Sequence, residues 1–164
     1  MFDRETEVLA TAVLAACRAK GWHLATAESC TGGLVAAALT AIAGSSDVVD
    51  RGFVTYSNKA KMELLGIPEA ALTAHGAVSA ETATAMAKGA VARAGVDLAV
   101  SVTGIAGPGG GSAEKPVGLV HFGLATRTDS GNERQIFPGD RTDVRRAAVM
   151  RALELLLSAA RVPG

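Results

Sequence analysis

Residues 97–103 read DLAVSVT, and residues 103–112 read TGIAGPGGGS. The first stretch is a near-continuous apolar run of strand length, the pattern of a strand buried on both faces. Such a strand needs a covering layer on each side, and the chain around it supplies helices. Before it, residues 79–93 form a helical segment that begins at Ser79, with Glu81 and Thr82 in its first turn. After it, residues 117–126 and 133–137 read as two further strands, a hairpin across residues 129–132. Asp140 then caps a long last helix with Val144, Ala148, Leu155 and Ala159 on one stripe.

The N-terminal half repeats the alternation. Residues 4–20 place Val8, Leu9, Ala12, Ala15 and Ala16 on one helical face, closed by Gly21. Residues 22–27 read as a short buried strand, residues 28–33 (ESCTGG) as a tight turn, and residues 32–43 as an Ala-rich helix stopping at Gly44. Residues 50–57 (DRGFVTYS) give a second strand, and Asn58 caps a short helix carrying Lys61, Leu64 and Leu65, closed by Gly66 and Pro68. The expected architecture is therefore α/β: one domain over residues 1–164, a three-layer α/β/α sandwich with a mostly parallel, mixed central sheet. Ligands in such folds bind at the carboxyl ends of the strands. Three strand patterns end at chemically interesting residues: Glu28 with Ser29, Tyr56 with Ser57, and Thr103 with Gly104.

Composition narrows the function classes. The chain has 164 residues, sixteen Lys+Arg against sixteen Asp+Glu, and 4% aromatics. Zero net charge and few aromatics argue against holding nucleic acid through a basic face or a stacking platform. Thirty-three alanines and nineteen glycines make up nearly a third of the chain, which suits close helix packing and backbone lying near a ligand. Residues 34–43 are the longest weakly polar run, about half the ~20 residues of a membrane span. The acidic N-terminus has no signal-peptide pattern. Cys17 and Cys30 form neither a disulfide framework nor a zinc spacing, so a cytoplasmic protein without metal or cofactor is expected.

Four segments have residues suited to chemistry. Ser29 stands at a strand end before a helix, where the amides of Cys30, Thr31, Gly32 and Gly33 could hold an oxyanion or a phosphate; equally, Ser29 or Thr31 could simply cap that helix. A serine needs a base, and none of His23, His75 and His121 lies in a serine-hydrolase context. A lysine whose pKa is depressed by burial is the alternative, and Lys59 and Lys61 follow Tyr56 closely, although surface lysines are usually just solvated. The third segment, with Gly104, Gly107, Gly109 and Gly110 after Thr103, lets backbone approach a ligand or forms a plain loop; it matches neither a Walker A nor a dinucleotide fingerprint. In the fourth, Arg141 and Arg145 at a helix start could grip a phosphate or form surface ion pairs.

Taken in order, TAESCTGG, VTYSNKAKMELLG, HGAVSAETA, SVTGIAGPGGG with KPVGLV, and the GDRTDVR helix closely resemble the CinA C-terminal domain family, over about residues 5–160. The resemblance implies hydrolysis of the carboxamide of nicotinamide mononucleotide to nicotinate mononucleotide and ammonia, in pyridine nucleotide recycling, by a metal-independent Ser–Lys mechanism. It places the nucleophile at Ser29, the lysine at Lys61 rather than Lys59, and the tyrosine at Tyr56. The remaining contacts expected for the small nucleotide are Glu28 near the pyridinium, the backbone at 30–33, and the 103–112 loop as anchor of the ribose phosphate, with Arg141 or Arg145 as further candidates there. Longer relatives carry an N-terminal pyrophosphatase domain, whose role does not extend to these residues. Two other readings stand beside this one: a non-catalytic nucleotide-binding or regulatory module, and an amidase using Cys30. A homo-oligomer packed through helices 32–43 and 79–94 is expected, with neither nucleic acid nor membrane as partner.

Overall fold

Capping chemistry sets most of the helix boundaries in the computed structural model, which describes residues 1–163. Helix α1 (Arg4–Lys20) begins where the Asp3 carboxylate accepts from the Thr6 amide, and ends at Gly21. Strand β1 (Leu24–Glu28), helix α2 (Leu34–Thr40), a 3-10 turn (Ser45–Asp47) and strand β2 (Val49–Val54) follow. Helix α3 (Asn58–Leu65) is capped by the Ser57 hydroxyl, which accepts from the Ala60 amide, not by Asn58 as the sequence suggested. Helix α4 (Glu69–His75) was not foreseen; it fits between Pro68 and Gly76. Helix α5 (Ala80–Ala94) is capped by Ser79 as expected. Strands β3 (Leu98–Gly104), β4 (Leu119–Thr126) and β5 (Ser130–Ile136) precede helix α6 (Arg141–Arg161), which starts with a reciprocal Asp140–Asp143 capping box.

The sheet order is β2-β1-β3-β4-β5. Strand β1 runs parallel to β2 and β3, β4 is antiparallel to β3, and β5 is antiparallel to β4. So β4 alone runs against the other strands, and the α/β expectation of a mostly parallel, mixed sheet holds. The turn between β4 and β5 is tighter than expected: Ala125 already pairs with Ser130. Helix α2 is shorter than the 32–43 pattern, because residues 29–33 are used in a turn before it.

Helices cover both faces. Apolar side chains of α1, α2 and α6 pack with Leu24, Leu98, Val100, Val102, Val120 and Phe122 on one face. On the other face, α3, α4 and α5 pack with Ala25, Ala27 and Ala99. The alternation along β3 separates large residues on the first face from small ones on the second. This is where the Ala/Gly excess is used: Ser101 Oγ donates to the Ala83 carbonyl of α5 at 2.5 Å, and a Cβ on Gly123 would lie 2.0 Å from that same oxygen. Two helical stripes differ from expectation. The buried face of α1 is Thr6, Ala10, Val13, Leu14 and Cys17, with Val8 exposed. That of α6 runs through Val144, Ala148, Val149, Ala152, Leu153, Leu156 and Ala160, with Leu155 and Ala159 at its margin. In both, Ala and Leu occur on several faces, so the pattern alone did not single one out. Among the described residues no helix is long and apolar enough to cross a membrane.

Candidate active site

From β1 the chain passes to β2 through α2 on one face, then returns to β3 through α3, α4 and α5 on the other. The carboxyl ends of β1 and β3 therefore flank a topological switch point, the place where open α/β sheets bind ligands. Two backbone bonds extend the parallel ladder past the strand ends: Ser29 N–H donates to the Val102 carbonyl (2.9 Å), and Thr55 N–H to the Glu28 carbonyl (2.8 Å). They fix Ser29 and Thr55 side by side at the carboxyl edge of the sheet.

Helix α3 brings Lys61 to the same place. Lys61 is only 1% exposed, and its Nζ donates to Ser29 Oγ at 3.2 Å and to the Thr55 carbonyl at 2.7 Å. Among the described residues no carboxylate pairs with it. Burial pushes the Lys61 pKa below its ordinary 10.5, with the neighbouring Cys30 thiol acting weakly in the other direction. Lys59, by contrast, faces solvent beside Glu63. A serine hydroxyl within hydrogen-bond reach of an amine biased toward its neutral form is an arrangement for nucleophilic attack.

Glu28 does something other than meet a ligand. It is fully buried, and its carboxylate accepts from the Val35 (2.8 Å) and Ala36 (3.0 Å) amides and from Thr26 Oγ1 (3.2 Å). It thus caps α2 from a distance, so the first-turn amides of that helix are already occupied. The amides left without a partner residue among the described residues are those of Cys30, Thr31 and Gly33; the Gly32 amide closes a turn onto the Ser29 carbonyl. Arg145 is also engaged: its Nε donates to the Cys30 carbonyl (3.0 Å) and its terminal nitrogen to that of Thr31 (3.4 Å). Carbonyl and N–H of one trans peptide point oppositely. Holding the Cys30 carbonyl toward α6 therefore turns the Thr31 N–H away from α6.

The other predicted residues divide. Thr103 is buried and donates to the Ala77 carbonyl at 2.8 Å, so its hydroxyl anchors the 76–79 segment rather than a ligand. Gly104 and Gly107 are glycines because the chain doubles back tightly: a Cβ there would lie 2.7 Å from the Leu119 carbonyl and 2.5 Å from Val117. Gly109 and Gly110 are exposed, with open space or ordinary contact around them. Tyr56 is 62% exposed, and Arg141 links its hydroxyl (3.0 Å) to the Gly107 carbonyl (2.9 Å), joining β2, the glycine loop and α6 along one rim. Beside Arg141 lies a pocket of about 470 Å³, walled by Ala106, Pro108, Val117 and the start of α6. Cys30 is 6% exposed, and burial, aided by nearby Glu28, pushes its thiol up to about 11, which leaves little thiolate for nucleophilic work.

Nothing in the sequence singles out Thr55. Its carbonyl holds Lys61, and its hydroxyl, like that of Thr31, is fully buried without a hydrogen-bond partner among the described residues. A threonine at a strand end has no distinguishing sequence signal, so only the placement of Lys61 exposes its role.

At the carboxyl edge of this mixed α/β sheet, then, stand a serine and a buried lysine in hydrogen-bond contact. A profile of the CinA C-terminal domain matches residues 6–160, and the chain belongs to that family. It is 52% identical over 158 residues to the nicotinamide-nucleotide amidohydrolase PncC of Enterobacter agglomerans, covering 96% of each chain. It is 51% identical to a CinA-like protein of Syntrophobacter fumaroxidans over 93% of this chain but 36% of that longer protein. The crystal structure of the competence/damage inducible protein CihA from Agrobacterium tumefaciens superposes with a TM-score of 0.93 at 51% identity, covering 96% of this chain and 97% of that one.

Proposed function

We propose that this protein hydrolyses the carboxamide of nicotinamide mononucleotide to nicotinate mononucleotide and ammonia, returning the nucleotide to NAD synthesis, with Ser29 as nucleophile and Lys61 as its base. The observation that carries the mechanism is the buried Lys61 amine 3.2 Å from Ser29 Oγ. The name of the Enterobacter relative, similar over nearly the whole chain, supports the substrate.

Neutral Lys61 takes the Ser29 proton as Oγ bonds to the carboxamide carbon. The oxyanion so formed meets the free amides of Cys30, Thr31 and Gly33, and donors of this kind contribute about 3–4 kcal/mol each. The C–N bond then breaks, and Lys61 returns its proton to the departing nitrogen, which leaves as ammonia. Water, deprotonated by the same amine, hydrolyses the nicotinoyl ester and regenerates Ser29. Tyr56 has no bond to either member of the pair, so its part is at the rim with Arg141, beside the pocket that suits the ribose phosphate.

Ammonia release from nicotinamide mononucleotide is the test. Wild type and Lys59→Ala turn over, whereas Ser29→Ala and Lys61→Ala lose activity by at least a thousandfold, on the order seen when a nucleophile or its base is removed. Turnover retained in Ser29→Ala removes the mechanism. An inactive wild type that still binds the nucleotide favours a binding module instead.

A further inference from the structure

Thr55 is the residue at this site whose chemistry is unaccounted for. Its N–H is tied to Glu28 and its carbonyl accepts from Lys61 at 2.7 Å, yet its hydroxyl, fully buried, has no partner among the described residues. Buried polar groups are almost always satisfied, so an orphan beside a catalytic amine calls for a reason. Counting hydrogens supplies one. A protonated lysine has three N–H donors and no acceptor. The resting site offers Lys61 two acceptors, Ser29 Oγ and the Thr55 carbonyl. Once Lys61 has taken the serine proton, Ser29 Oγ is bonded to the acyl carbon and becomes a weak acceptor. The amine is then charged, buried and held by one strong acceptor, a costly state.

The hydroxyl and carbonyl oxygens of one threonine are four covalent bonds apart, about 3–4 Å, so the hydroxyl lies in the neighbourhood of the amine that the carbonyl holds. The other orphan hydroxyl, Thr31 Oγ1, belongs to the turn whose carbonyls Arg145 draws toward α6, and none of its atoms bonds Lys61. We propose that the Thr55 hydroxyl is a positioning group that accepts a hydrogen of Lys61 while that amine carries the serine proton. It stabilises the charged form until the proton passes to the departing nitrogen, and itself neither gains nor loses one. This rests on the Ser29–Lys61 reading above.

The groups that bear on the Lys61 charge are few. The Cys30 thiol is the titratable neighbour, Glu28 is committed to the α2 amides, and Arg145 to the Cys30 and Thr31 carbonyls. The deciding measurement is kcat and kcat/KM against pH for wild type, Thr55→Ser, Thr55→Val and Thr55→Ala, each with a melting curve. Loss of the hydroxyl in Thr55→Val and Thr55→Ala lowers kcat on the order of tenfold with little change in KM, the scale of a hydrogen bond to a charged group. It also moves the acid limb of kcat/KM about one pH unit lower, because the ammonium form has lost a stabilising partner. Thr55→Ser restores both. An acid limb identical in all four proteins, or a Thr55→Ser as damaged as Thr55→Val, reduces Thr55 to packing and overturns the inference. Turnover surviving in Ser29→Ala overturns the parent mechanism instead, so the two failures are told apart.

Discussion

Replacing Glu28 separates a structural carboxylate from a ligand-binding one. In Glu28→Ala the buried Val35 amide and the partly buried Ala36 amide lose their acceptor. Losing a helix cap costs about 1 kcal/mol. Each buried amide left unpaired costs about 1–3 kcal/mol. The three contributions together come to about 3–7 kcal/mol, a large share of the ~5–15 kcal/mol that holds a domain of this kind folded. At ~2–4 °C per kcal/mol for a chain of this size, the melting temperature falls by about 10 °C or more. Glu28→Gln keeps one acceptor oxygen but turns an NH2 toward the second amide, so it loses about half as much. Thermal unfolding followed by circular dichroism reads the stability, and ammonia release at a temperature where the variants are folded reads KM. Both variants are expected to melt early and to bind substrate with nearly unchanged KM. A Glu28→Gln protein that melts within 2 °C of wild type but has a KM raised tenfold or more would refute the capping argument and put the carboxylate against the pyridinium.

Two further outcomes follow from the packing around the site. Lys61→Met abolishes turnover yet stabilises the fold at pH 7, because it removes a buried amine whose pKa burial has lowered. Between that depressed pKa and 10.5 the unfolded chain binds the additional proton, so wild-type stability rises with pH across this window. The advantage of Lys61→Met therefore shrinks from pH 7 toward pH 10 in urea titrations; a constant gap contradicts the burial argument. Gly123→Ala forces α5 off the sheet, since its Cβ would lie 2.0 Å from the Ala83 carbonyl, and costs about 3 kcal/mol, whereas Gly109→Ala, with nothing within 4 Å, stays within about 0.5 kcal/mol. Equal unfolding midpoints for these two variants refute the close-approach account.

Local signals in the sequence were enough for the α/β alternation, the caps at Ser79 and Asp140, the buried strand β3 and the three strand ends where the candidate site lies. These depend on neighbours within a few residues: a cap needs the amide three positions on, and a buried strand needs only its own apolar run. Ser29 and Lys61 were legible from the wording of their motifs. Tertiary structure decided what their neighbours do. Glu28, Thr103 and Arg145 all looked like ligand-binding groups, yet each is consumed by a backbone partner far away in sequence or on another element: the α2 amides, the Ala77 carbonyl, and the Cys30 and Thr31 carbonyls. A polar side chain declares which bonds it can make, but only the packed chain settles which partner reaches it first. The same holds for Lys61. The sequence names a lysine; the lowering of its pKa, on which the proposed role as a base depends, comes from burial between α3 and the ends of β1 and β2, a property of the assembled layers alone.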